Sequence, residues 1–111
     1  MKQKLRKKWL TALRDGSYTQ TKNALRKDGC FCVLGVLHDV AGGEWIQNEE
    51  GRHEAQLDES CTSENLLELD DGTILYDLDE HSQESLYELN DGGASFRAIA
   101  EWIEENIEVT P

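Results

Sequence analysis

The chain has little of what usually announces a function. Its cysteines, Cys30, Cys32 and Cys61, are too few and odd in number for a disulfide framework, which fits a reducing compartment. Cys30 and Cys32, at i and i+2, would share a face only in a strand, where a bond between them has poor geometry. The single proline is the last residue. No apolar run approaches the roughly 18 residues that span a bilayer. The Lys-rich start leads into an amphipathic pattern instead of the apolar core of a secretory signal. A cytoplasmic address without membrane contact is the resulting expectation. There is no internal repeat, no Asp-x-Asp-x-Asp-Gly calcium loop, and no phosphate-cradling loop. Asn90-Asp91-Gly92-Gly93 lacks the Lys and the preceding buried strand, and reads as a turn.

Positive charge is also scarce: 11 Lys and Arg stand against 23 Asp and Glu, a formal net charge of −12. The deficit is uneven. Residues 1–42 hold nine bases and three acids, a balance of +6, whereas residues 43–111 hold two bases and twenty acids, a balance of −18. A field of that size repels nucleic acid and membrane surfaces from the acidic part and steers it toward basic partners.

At 111 residues, with 38% hydrophobic and 31% charged, the chain has material for one domain with a modest core. Leu5, Trp9, Leu10 and Leu13 recur at helical spacing from Lys2 to Arg14, with Gly16 as a stop. Lys27-Asp28-Gly29 offers a tight turn. From Phe31, Val33, Leu34, Val36, Leu37 and Val40 fit a central buried helix ending at Ala41-Gly42-Gly43, with a strand left open for Cys30 to Leu34. Trp45 and Ile46 look buried, and residues 47–63, polar, acidic and aperiodic, read as a long, loose loop. The apolar runs Leu66 to Leu69 and Thr73 to Tyr76 flank Asp70-Asp71-Gly72 and predict an antiparallel ribbon. A short helix follows over Glu80 to Leu89. Ser95 then caps a helix from Phe96 to Asn106, with Phe96, Ile99, Ala100 and Ile103 as its apolar stripe. The expected fold is α+β: a single small domain with N-terminal, central and C-terminal helices and a small antiparallel ribbon.

Three blocks carry a resemblance to a known family. They are Trp9-Leu10-Thr11-Ala12-Leu13-Arg14-Asp15-Gly16-Ser17-Tyr18-Thr19-Gln20, Phe31-Cys32-Val33-Leu34-Gly35-Val36-Leu37-His38-Asp39, and Leu89-Asn90-Asp91-Gly92-Gly93-Ala94-Ser95-Phe96-Arg97-Ala98-Ile99-Ala100. In these the chain resembles a family of small proteins encoded by bacteriophages and prophages. The family often has paired cysteines before its Leu-Gly-Val-Leu run; here the pair is Cys32-Val33, and Val neither ligates nor attacks. The resemblance implies a phage or prophage origin and brings no activity with it.

The run from Lys27 to Gly43 can be read as a reactive site, a metal clip or a packing helix. Zinc would draw on Cys30, Cys32, Cys61, His38, His53 and His81, but Cys-x-Cys without a second Cys or His pair is the wrong spacing, and no metal or cofactor is expected. Cys32 near a helix start beside Lys27 could be an activated thiolate with His38 as base, the basis of an alternative cysteine-dependent enzyme or redox protein. Six residues apart on one helix, however, the two point to different faces. The Lys2 to Lys8 cluster supports another alternative, a small nucleic-acid-binding regulator, although no aromatic or Asn/Gln group stands beside it to read bases. The leading expectation is a non-enzymatic acidic binding protein. Its face would be built from Asp70, Asp71, Asp77, Asp79, Glu80, Glu101, Glu104 and Glu105, and would inhibit a basic, nucleic-acid-handling host protein by charge mimicry.

Overall fold

The computed structural model describes residues 1–110. Its first helix, α1 (Gln3–Arg14), forms where the apolar spacing places it and buries Trp9, Leu10, Ala12 and Leu13. The Trp9 indole N–H donates to the Val33 carbonyl at 2.9 Å, pinning α1 to the start of the central helix α2 (Val33–Val40). Burying each large side chain contributes about 1.5–3 kcal/mol. That outweighs the ~0.3–1 kcal/mol lost for each cation at a helix N-terminus, so α1 forms despite its basic first turns.

Between these helices lies a hairpin of β1 (Arg26–Lys27) and β2 (Cys30–Phe31), with Lys27 opposite Cys30. Its two turn residues, Asp28 and Gly29, both have positive φ, +53° and +78°, the backbone that an Asp-Gly hairpin turn requires. Cys32 then caps α2: its Sγ accepts from the Gly35 N–H at 3.4 Å. Gly35 is held against the loop before β1, where a Cβ would lie 1.8 Å from the Leu25 carbonyl oxygen. Every residue of α2 up to His38 is buried.

The long loop expected at 47–63 is instead most of a sheet. β3 (Glu44–Gln47), β4 (Arg52–Leu57) and β5 (Ser60–Cys61) pair antiparallel, giving the order β2-β1-β4-β3, with β5 continuing along β4 beyond β1. β4 hides because Ala55 is its one fully buried residue; Arg, His, Glu, Gln and an exposed Leu57 occupy the rest, so no apolar alternation shows. The β3–β4 turn is organised by Asn48, whose Oδ1 accepts from the Glu50 and Arg52 N–H groups, both at 3.0 Å. Arg52 in turn pairs with Glu64 at 2.6 Å. Ile46, expected to be buried, is exposed on β3, while Trp45 is half-buried.

The predicted ribbon around Asp70-Asp71-Gly72 shrinks to one bridge, Glu68 to Ile74, with the Leu69 N–H donating to Thr73 at 2.8 Å. Its backbone is claimed from another side. The buried Gln83 accepts from the Leu67 N–H at 2.7 Å and donates to the Leu67 and Leu78 carbonyls. Gln83 lies on α3 (Glu80–Asp91), capped by Asp79, and α4 (Phe96–Asn106) follows with Ser95 as its cap. The four helices pack α1 on α2 and α4, and α3 on α2 and α4, around a single core, giving a small α+β domain.

Candidate functional site

The thiol offered as a nucleophile is closed off. Cys32 is 2% exposed, and burial pushes its pKa up to about 12, leaving no thiolate at neutral pH. His38 is equally committed. Its Nε2 lies 2.6 Å from the Glu44 carbonyl, which can only accept, so Nε2 carries the proton and donates. Nδ1 is then the acceptor for the Tyr76 hydroxyl at 2.5 Å. Burial lowers the His38 pKa, in agreement with the neutral ring that this pairing requires. Cys30 and Cys61 are free and half-buried. Among the described residues no group of three His, Cys, Asp or Glu side chains is placed to hold a metal ion.

Around His38 runs a belt of polar aromatics. The Tyr18 hydroxyl donates to Asp39 at 2.5 Å, the Trp45 indole donates to the same carboxylate at 3.3 Å, and Trp45 meets the His38 ring edge-on. Burial and the Asp39 carboxylate together hold the Tyr18 phenol up at about 12. Tyr76, at the far end of the belt, has φ +61°, a conformation that costs a non-glycine residue of order 1 kcal/mol or more and persists only where its surroundings hold it. The bond to His38 is one such hold. Asn90 does similar work at the end of α3: it accepts from Gln20 at 2.9 Å and from the Val33 N–H at 3.2 Å, and donates to the Thr21 carbonyl at 2.8 Å.

All eight carboxylates named from the sequence are exposed, and they lie on several elements: the turn around Gly72, the segment before α3, and α3 and α4. Asp70 and Asp71 line a shallow basin of about 600 Å³ together with Glu54 and Glu59. The Asp71 carboxyl is lowered from its ordinary value because it accepts from Thr73. Asp77 and Asp79 flank a smaller recess beside Glu108, and Asp79, lowered by its bond to Ser82, is spent on capping α3. Glu101 and Glu105 project from α4, while Glu104 is engaged by Arg14.

Glu80 leads to two partners that the sequence reading left out. Glu80, Glu84 and Glu88 recur every four residues on α3 and all three are exposed, forming a stripe with about 6 Å of rise between neighbours. Their i, i+4, i+8 spacing is present in the sequence, beside Asp-rich turns of higher local charge density. Among the described residues only two ion pairs form, Arg14 with Glu104 and Arg52 with Glu64, so this stripe carries uncompensated charge.

Residues 1–70 match the sequence profile of a Domain of unknown function (DUF8296). The chain belongs to the DUF8296 family. The matched residues take in α1, α2 and all five strands; the carboxylates of α3 and α4 lie beyond them. No curated protein and no solved structure matches this DUF8296 chain.

Proposed function

We propose that the protein acts by binding and not by catalysis, presenting the outer face of α3 and α4 to a basic, nucleic-acid-binding surface and blocking it by occupying the place of the nucleic acid. The observation that carries this reading is the stripe of Glu80, Glu84 and Glu88, three exposed carboxylates without a counter-ion among the described residues, on a capped helix. Glu101 and Glu105 extend negative charge onto the adjoining α4. A duplex presents one charge per strand about every 3.4 Å along its axis, so carboxylates a few ångströms apart on a rigid rod can meet the lysines and arginines that would otherwise hold phosphates. The likeness to phage and prophage proteins extends the proposal to its setting, a host defence or transcription protein in the bacterial cytoplasm.

The test is capture from bacterial lysate on the immobilised full chain, followed by elution with duplex DNA. A nucleic-acid-binding protein retained at 50 mM salt, released by about 500 mM salt or by DNA, and lost when Glu80, Glu84 and Glu88 are changed to Lys is the expected result. Retention indifferent to salt, to DNA and to the charge reversal would sink the idea.

A further inference from the structure

The basic end of the molecule holds a cleft that the acidic-face reading leaves unused. It opens between the first turns of α1, the end of α2 and the residues just before α3, with a volume of about 440 Å³, inside the ~300–1,000 Å³ range of small-molecule pockets. Part of its lining is apolar: Leu5, Val40, Ile74 and Tyr76 contribute to it, each half-buried and so with surface still open. Most of the rest is cationic. Lys2, Lys4 and Lys8 line it, and none has an ion-pair partner among the described residues although the chain carries 23 acids. Asp77 is the one acid on the rim.

These lysines stand where local physics disfavours them. Lys4 and Lys8 are like charges one turn apart, Lys4 in the first turn where the macrodipole is already positive, and α1 has no acid in its first turn and no side-chain cap. α1 itself holds no carboxylate to relieve the repulsion, and Asp77 is the one acid that shares the cleft. Sites that break local rules without a structural return are where function concentrates. Meanwhile Tyr76, in the same lining, is held in its left-handed conformation with its hydroxyl on His38.

We propose that this cleft binds a small amphipathic anion: a carboxylate on Lys2, Lys4 and Lys8, carried by an aliphatic or aromatic body that covers Leu5, Val40, Ile74 and the Tyr76 ring. Cationic rim and apolar wall each supply half of the recognition, so neither a bare anion nor a neutral chain satisfies both. The source is a free molecule and not a bilayer. The site is recessed, and a net charge of −12 repels anionic membranes from the rest of the surface.

The probe is decanoate, kept below its micelle-forming concentration and followed by amide chemical shifts of the full chain. Decanol supplies the same tail without charge, and acetate the same head without a tail. Saturable one-to-one decanoate binding, with shifts centred on Leu5, Val40, Ile74 and Tyr76, is expected. Decanol and acetate should each bind at least tenfold more weakly. The double variant Lys4→Gln, Lys8→Gln, exposed positions that leave the core untouched, should lose at least tenfold for decanoate and little for decanol. Equal binding of decanol and decanoate, shifts centred elsewhere, an unaffected double variant, or no saturable binding would each overturn the proposal. So would co-sedimentation with phosphatidylglycerol vesicles while free decanoate leaves the cleft unmoved, which would make the site a membrane contact.

Discussion

At the scale of single residues, the polar side chains of the interior explain more than the reactive ones. Asn90 satisfies the Val33 N–H and the Thr21 carbonyl together, joining α3 to the start of α2 and to the segment before β1. Asn90→Leu would strand both groups, and an unmet buried group costs about 1–3 kcal/mol. The expected loss is about 2–4 kcal/mol in urea unfolding. His38 makes stability depend on pH. Its folded pKa lies below the ordinary 6.5, so the unfolded chain binds the extra proton first. The stability it contributes is present above pH 6.5 and is lost as pH falls through 6.5 toward the lowered folded value. Unfolding free energy measured between pH 7.5 and 5.5 should therefore fall more steeply for the native protein than for His38→Gln. Cys32 should resist iodoacetamide in the folded protein and label only after unfolding, as its burial and raised pKa require.

Two elements show how local chemistry and tertiary demand trade against each other. In α2 a glycine sits in the first turn, where it weakens the helix by up to about 1 kcal/mol relative to Ala. It is there because the Leu25 carbonyl passes where a Cβ would be. Gly35→Ala, helpful in an isolated helix, should cost more than about 4 kcal/mol or prevent folding, a reversal of sign that thermal melting would register. In α1 the imbalance is electrostatic. Lys4→Glu should stabilise the fold by about 0.3–1 kcal/mol at low salt, with the gain fading as salt rises, because it reverses an unfavourable charge at a helix N-terminus. The same change should abolish decanoate binding, so that stability and recognition move in opposite directions at one residue.

Over the whole molecule, charge is divided by structure much as it is by sequence. Lysines gather on α1 and around its cleft, whereas α3, α4, the sheet and the turns before α3 carry the exposed carboxylates. The acidic face proposed above was only partly legible. Asp71 and Asp79 have local duties in a turn and a cap, and Glu104 is tied to Arg14. Glu84 and Glu88 enter the proposal because α3 exposes them beside Glu80.

What the sequence determined by itself was whatever depends on near neighbours along the chain. The apolar spacing of α1, α2 and α4, the Ser95 cap and the Asp28-Gly29 turn all follow from interactions within a few residues. Tertiary structure alone decided the sheet of residues 44–61. Its strands β3, β4 and β5 follow one another through short turns but bury too little to show an apolar alternation, and the sheet is completed only where β4 pairs with the distant β1. It also decided the fate of His38 and Cys32, and the lysine cleft. Burial, tautomer and a concave surface are properties of groups brought together from distant positions, and no window of sequence contains them.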